Sequence, residues 1–143
     1  MSNNLPAVRK VLFIGTNNPR GDEPFWPKPH GSTGHRLWQL VNEAVGWDAD
    51  EFLMRADRLN IVDTPNWSEA RAKERVGEIL AQCEGRRAIA VGRVTAILLG
   101  APGEPCTWDS GLAMIPHTSG LNRFYNEPTN RDQVITFLRE ALQ

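Results

Sequence analysis

"VLFIG", residues 11 to 15, is the stretch on which the fold turns. Four apolar residues in succession, closed by a glycine, show no alternation of polar and apolar faces. Such a segment is a strand buried on both sides, as in the interior of a parallel sheet. The next periodic segment is of the other kind. In "HRLWQLVNEAVG" (35 to 46) Leu37, Leu40, Val41, Ala44 and Val45 fall on one helical face, with Ser32 or Thr33 as N-cap and Gly46 as the stop.

The alternation continues along the chain. "RLNIVDT" (58 to 64) reads as a second strand. "SEARAKERVGEILAQC" reads as a helix capped by Ser68, with Ala72, Val76, Ile79, Leu80 and Cys83 aligned. "AIAVG" (88 to 92) is a third strand, followed by the short helix "RVTAILLG", and "LAMIP" (112 to 116) is a fourth. A last helix is expected from about Arg131, capped by Asn130 with Gln133 three residues on. Strands alternating with helices imply α/β architecture: a central four-stranded parallel sheet in a three-layer α/β/α sandwich. The 143 residues make one domain of 1–143.

Composition narrows the class without naming a function. The chain is 41% hydrophobic and 23% charged, with a formal net charge of −1, the profile of an ordinary globular protein. No apolar run approaches the roughly 18 residues of a membrane span, and "MSNNLPAVRK" lacks the apolar core of a secretion signal. A cytoplasmic monomer with no membrane contact is expected. Cys83 and Cys106 cannot supply a four-ligand metal site by themselves, so neither metal nor cofactor is expected. The near-neutral charge hides a pattern: residues 1 to 40 carry +3, residues 41 to 84 carry −5 and residues 85 to 143 carry +1. A polyanion would be met at the two ends of the sequence.

In a parallel α/β sheet the loops at the carboxyl ends of the strands converge on one crevice, where ligands bind. Residues 16 to 33 form one such loop, long and without periodicity, and a connection of that length is usually functional. Asn17 and Asn18 precede Pro19, whose ring holds Asn18 extended. Phe25 and Trp26 lie between Pro24 and Pro27; Trp26 is the better candidate to roof the core, leaving Phe25 to stack a planar ring. His30 and His35 read as surface residues. Across the crevice "HTSGLNRFYN" (117 to 126) has a density of donors and acceptors unusual even for a loop, and no acidic residue. The two loops should meet at one edge.

Two of these stretches resemble a known family. "VLFIGTNNPRG" is similar to the first motif of the uracil-DNA glycosylase superfamily, a strand running into G-x-N-P-G. "IPHTSGLNR" resembles its second motif, and the "SGLNR" within it is closest to the mismatch-specific uracil/thymine glycosylases. The likeness follows the chain in order from first strand to last helix. Arg20 stands where the first motif has glycine, and Thr118 where the second has proline. His117 is the letter of other branches, so the motifs are a mosaic.

The resemblance implies a uracil-DNA-glycosylase-like fold and a site for DNA, single-stranded or mismatched. It implies that Asn18 orients the attacking water and that His117 donates to the carbonyl oxygen of the departing base. Phe25 would stack the extruded base, Asn60 would pair with its edge, and Asn17 would lie beside it. Ser119 and Gly120 would grip phosphate, with Arg20 also at the DNA. Leu121 would be the wedge that fills the gap in the duplex, and Asn122 and Arg123 would steady the backbone. Other readings stay open on the residues alone: a flavodoxin-like nucleotide-binding module, a non-catalytic relative that binds DNA or protein, or an enzyme of modified bases or nucleosides. The first loop lacks G-x-G-x-x-G and G-K-[ST], and Pro19 removes an amide donor, which counts against the first of these.

Overall fold

The computed structural model describes residues 10–19 and 23–143. Its strands are β1 (Leu12–Gly15), β2 (Asp57–Asn60), β3 (Ala88–Val91) and β4 (Leu112–Ile115). They form one sheet in the order β2-β1-β3-β4, every pairing parallel. The helices are α1 (Thr33–Val45), α2 (Ala49–Arg55), α3 (Glu69–Cys83), α4 (Arg93–Leu99) and α5 (Pro128–Ala141), and a 3₁₀ turn spans Arg123–Asn126.

Side-chain alternation along the strands sorts the core into two layers. Phe13, Ile89, Val91, Ala113 and Ile115 face α1, α2 and α5 with Leu37, Val41, Phe52, Val134 and Leu138. Leu12, Ile14 and Ala88 face α3 and α4 with Ala72, Ile79 and Leu99, and Ala90 and Met114 meet Ala96 beside them. Both faces of β1 are therefore dry, as its unbroken apolar run requires. Each large side chain buried here contributes roughly 1.5–3 kcal/mol relative to exposure. No helix among the described residues is long and apolar enough to cross a membrane.

The caps fall largely where the sequence puts them. Ser32 Oγ accepts from the His35 amide, Gly46 ends α1 in the left-handed region, and Ser68 Oγ accepts from the Arg71 amide. Four features differ. β2 is Asp57–Asn60, so residues 61–64 of the strand expected at 58–64 lie beyond its end. The segment after Trp47 folds as α2, closed by a capping box in which Asp48 accepts from the Glu51 amide at 2.8 Å and Glu51 accepts from the Asp48 amide at 3.3 Å. Only Phe52 of this helix is buried, so no stripe betrays it. The last helix starts at Pro128 rather than beyond Asn130, because proline at N1 needs no amide partner. Asn130 instead donates to the Phe124 carbonyl at 3.2 Å. His35 is buried rather than a surface residue: its Nδ1 accepts from the Gly31 amide at 3.0 Å and its ring packs beside His30 and Trp38.

Candidate active site

Where β1 ends, a cavity of about 390 Å³ opens between the first loop and the loop after β4. Asn18 and His117, 99 positions apart in sequence by their numbers, both line it. Their approach is fixed by Thr118, which is 1% exposed and donates from Oγ1 to the Thr33 carbonyl at 3.0 Å. A proline at that position, as in the motif, would stiffen the backbone by its ring; here a hydroxyl ties the loop to the first turn of α1 instead. Thr118→Val keeps the shape and removes this bond, so it should cost about 1 kcal/mol in urea denaturation. A variant as stable as the parent would show that the tether carries no weight.

The floor is built from Gly15, Phe25 and Asn60. A Cβ on Gly15 would stand 2.6 Å from Asn60 Oδ1 and 2.8 Å from the Phe25 ring, so the absence of a side chain there is what lets both reach the cavity. Phe25, not Trp26, is the ring that joins the core; it is buried and faces the cavity as well, while Trp26 is half-buried in the wall. Phe25 holds φ 52°, a conformation unfavourable for a residue with a side chain. The preceding carbonyl, of Pro24, is gripped by Arg58 Nη1 at 2.7 Å. Arg58 shares the Asn60 face of β2 two residues earlier, and burial pushes its pKa down. The sequence gives no sign of this support, since its partner is 34 positions away. Asn60, half-buried, makes no side-chain hydrogen bond among the described residues, so its amide is available to whatever enters.

His117 is the polar centre of the opposite wall. Its Nδ1 accepts from the Ser119 amide at 3.0 Å, which requires that nitrogen to be unprotonated and places the single proton of the neutral ring on Nε2. Burial holds the imidazole below its ordinary value, favouring this neutral form at pH 7. The ring rests on Gly92, where a Cβ would come within 3.0 Å of Cδ2. The site thus presents one imidazole N–H, held in orientation from both sides.

Asn18 donates from Nδ2 to the Glu23 carbonyl at 3.3 Å across its own loop. Asn17 lines the cavity and donates to the Pro65 carbonyl at 2.6 Å, tying the first loop to the loop after β2. Ser119 and Gly120 form the rim beside His117. Leu121, the next residue after Gly120 of the rim, is 94% exposed. Asn122 has a structural duty: Nδ2 donates to the His117 carbonyl at 2.8 Å and Oδ1 accepts from the Phe124 amide at 3.1 Å. Arg123 is exposed, and Arg20 lies outside the described residues. Lys28, Arg36, Arg93 and Arg123 are all exposed and make no ion pair among the described residues, whereas Arg55, Arg71, Lys73, Arg75, Arg86 and Arg131 are all paired with carboxylates.

Among the described residues no group of three or more His, Cys, Asp or Glu side chains could hold a metal ion. Neither a model of a known protein family nor a curated protein matches the chain.

Proposed function

We propose that this protein is a DNA glycosylase that hydrolyses the N-glycosidic bond of uracil, or of a related damaged or modified pyrimidine, turned out of DNA. The observation that carries the reading is the meeting of Asn18 and His117 in one cavity floored by the Phe25 ring and an unengaged Asn60 amide. Breaking the bond between C1′ and the base leaves cationic character on the sugar and the electron pair on the base. The needs are a water held below the sugar and a donor at the base carbonyl oxygen. The neutral His117 meets the second need through Nε2–H. Asn18, a hydrogen-bonding group without basicity, orients the water; its attack on the cationic sugar releases a proton to solvent. Phe25 offers a face for stacking and Asn60 an amide for the base edge.

Leu121 then has a role that its exposure alone does not explain. A leucine 94% exposed next to the rim residue Gly120 is suited to fill the gap that an extruded nucleotide leaves in a duplex. Leu121→Ala should slow single-turnover base release from duplex at least tenfold while changing release from single strands little, because only the duplex has a gap to fill. Equal losses on the two substrates would refute the wedge.

A further inference from the structure

Phe25 owes its place in the floor to the turn that carries it. The Trp26 amide donates to the Glu23 carbonyl at 3.2 Å, closing a four-residue turn with Pro24 second and Phe25, at φ 52°, third. That is the pattern of a type II turn, whose third position normally belongs to glycine. Types I and II differ chiefly in which way the central peptide faces. Turning it over takes the third residue from a φ of about −90° to about +80°. The central carbonyl here is that of Pro24, and Arg58 Nη1 donates to it at 2.7 Å. On its other side the turn rests on the bare backbone of α1, where a Cβ on Gly34 would overlap the Trp26 carbonyl. We propose that Arg58 is a positioning residue: by holding the Pro24 carbonyl it keeps the turn in the form that lays the Phe25 ring in the cavity floor. The Glu23 carbonyl of the same turn accepts from Asn18 Nδ2 at 3.3 Å. One arginine therefore orders both the ring assigned to the base and the side chain assigned to the water. Its effect on base release rests on the glycosylase reading; its hold on the turn does not.

The position is a costly one for an arginine. Arg58 lies half-buried beside Phe13 of β1, where an apolar side chain would ordinarily sit. Its Nε is buried and has no hydrogen-bond partner among the described residues, which opposes folding. Burial also disfavours its charge, and the nearby Glu23 and Asp57 carboxylates offset part of that. Phe25 is a second unfavourable choice, a side chain at a φ suited to glycine. The two departures are joined by one hydrogen bond, through Pro24. Departures from local preference that support one another in this way concentrate at functional sites.

The test uses the full chain with 4-fluorophenylalanine in place of its five phenylalanines, the Phe25 resonance being assigned by its loss in Phe25→Leu. In the parent it should be a single narrow line. Arg58→Met keeps the stem and removes the donor, so the Phe25 line should broaden or split while that of Phe137, on α5, stays as it was. Arg58→Gln, too short to reach Pro24, should do the same. Arg58→Lys, with the charge and one flexible donor, should restore part of the narrow line. Base release from a single-stranded oligonucleotide that the parent cleaves should slow by about 10² in Arg58→Met, the scale of a displacement of about 1 Å in a positioned site. A narrow, unchanged Phe25 line in both neutral variants overturns the proposal, and so does base release at the parent rate by Arg58→Met. If the parent releases no base from any strand, the glycosylase reading falls, and the resonance alone decides whether Arg58 holds the turn.

Discussion

Replacing His117 by alanine should lower the single-turnover rate of base release by about 10² to 10³, the usual scale for one donor aimed at a developing anion. The pH profile separates a neutral donor from a charged one. Burial holds the imidazole below its ordinary value of 6.5, and its Nδ1 already accepts from Ser119. The neutral ring donates through Nε2 at every pH above the lowered folded value. The rate should therefore stay level, as far as His117 is concerned, while pH rises through 6.5 and beyond. It should fall on the acid side, where protonation of Nδ1 breaks the bond to Ser119. Stability moves in the same direction: between the lowered folded value and the unfolded one, the unfolded chain binds more protons, so acid also favours unfolding. Activity that disappears as pH rises through 6.5, and in the parent but not in His117→Ala, would mean an imidazolium donor instead.

Gly15→Ala should be nearly as damaging, by closing the floor. The added Cβ would meet the Asn60 amide at 2.6 Å and the Phe25 ring at 2.8 Å, both shorter than any normal contact. Gly15 is the last residue of β1 and its carbonyl accepts from the Ile61 amide at 2.9 Å, so the strand cannot retreat. Phe25 or Asn60 must move out of place. Overpacking of this kind costs about 1–3 kcal/mol in stability. If the floor stacks the base as proposed, its loss should lower kcat/KM by about 10² or more, since a displacement of about 1 Å in a positioned site has that effect. Denaturation and single-turnover rates measured on the same preparation separate the two. A stable, fully active Gly15→Ala would show that neither Phe25 nor Asn60 touches the base.

The sheet was legible because its signal is local. Three short apolar runs, each closed by glycine or proline, mark β1, β3 and β4, and the stripes of α1 and α3 are equally plain; β2 lies on the half-buried Asp57–Asn60, just ahead of the apolar pair Ile61 and Val62 that suggested a strand there. What was not legible follows from the same physics. Helix α2 buries a single phenylalanine, so it carries no stripe, although its Asp48-x-x-Glu51 box was a signal available in the sequence. The start of α5 is obscured because Asn130 and Gln133 imitate a cap one turn late, while Pro128 is the true first residue.

At the candidate site, Asn17, Asn18, Phe25, Asn60, His117, Ser119 and Gly120, which line the cavity, could be named in advance, but their supports could not. Arg58 holding Pro24, Thr118 holding Thr33 and Arg36 lying on Gly120 are contacts across long stretches of chain. Nothing in the residue types announces such pairs. His35 shows the converse: its polarity suggested the surface, yet its position on α1 turned it toward Trp38 and the Gly31 amide.

The central claim is that the cavity cleaves a glycosidic bond using Asn18 and His117. It is tested by incubating the protein with end-labelled oligonucleotides carrying uracil, thymine, hydroxymethyluracil or ethenocytosine, paired and unpaired, then cleaving abasic sites with alkali. The expected result is strand scission at the position of at least one of these bases with the parent protein, and none above background with the Asn18→Ala, His117→Ala double variant. No abasic site on any substrate, or equal scission by the double variant, would contradict it.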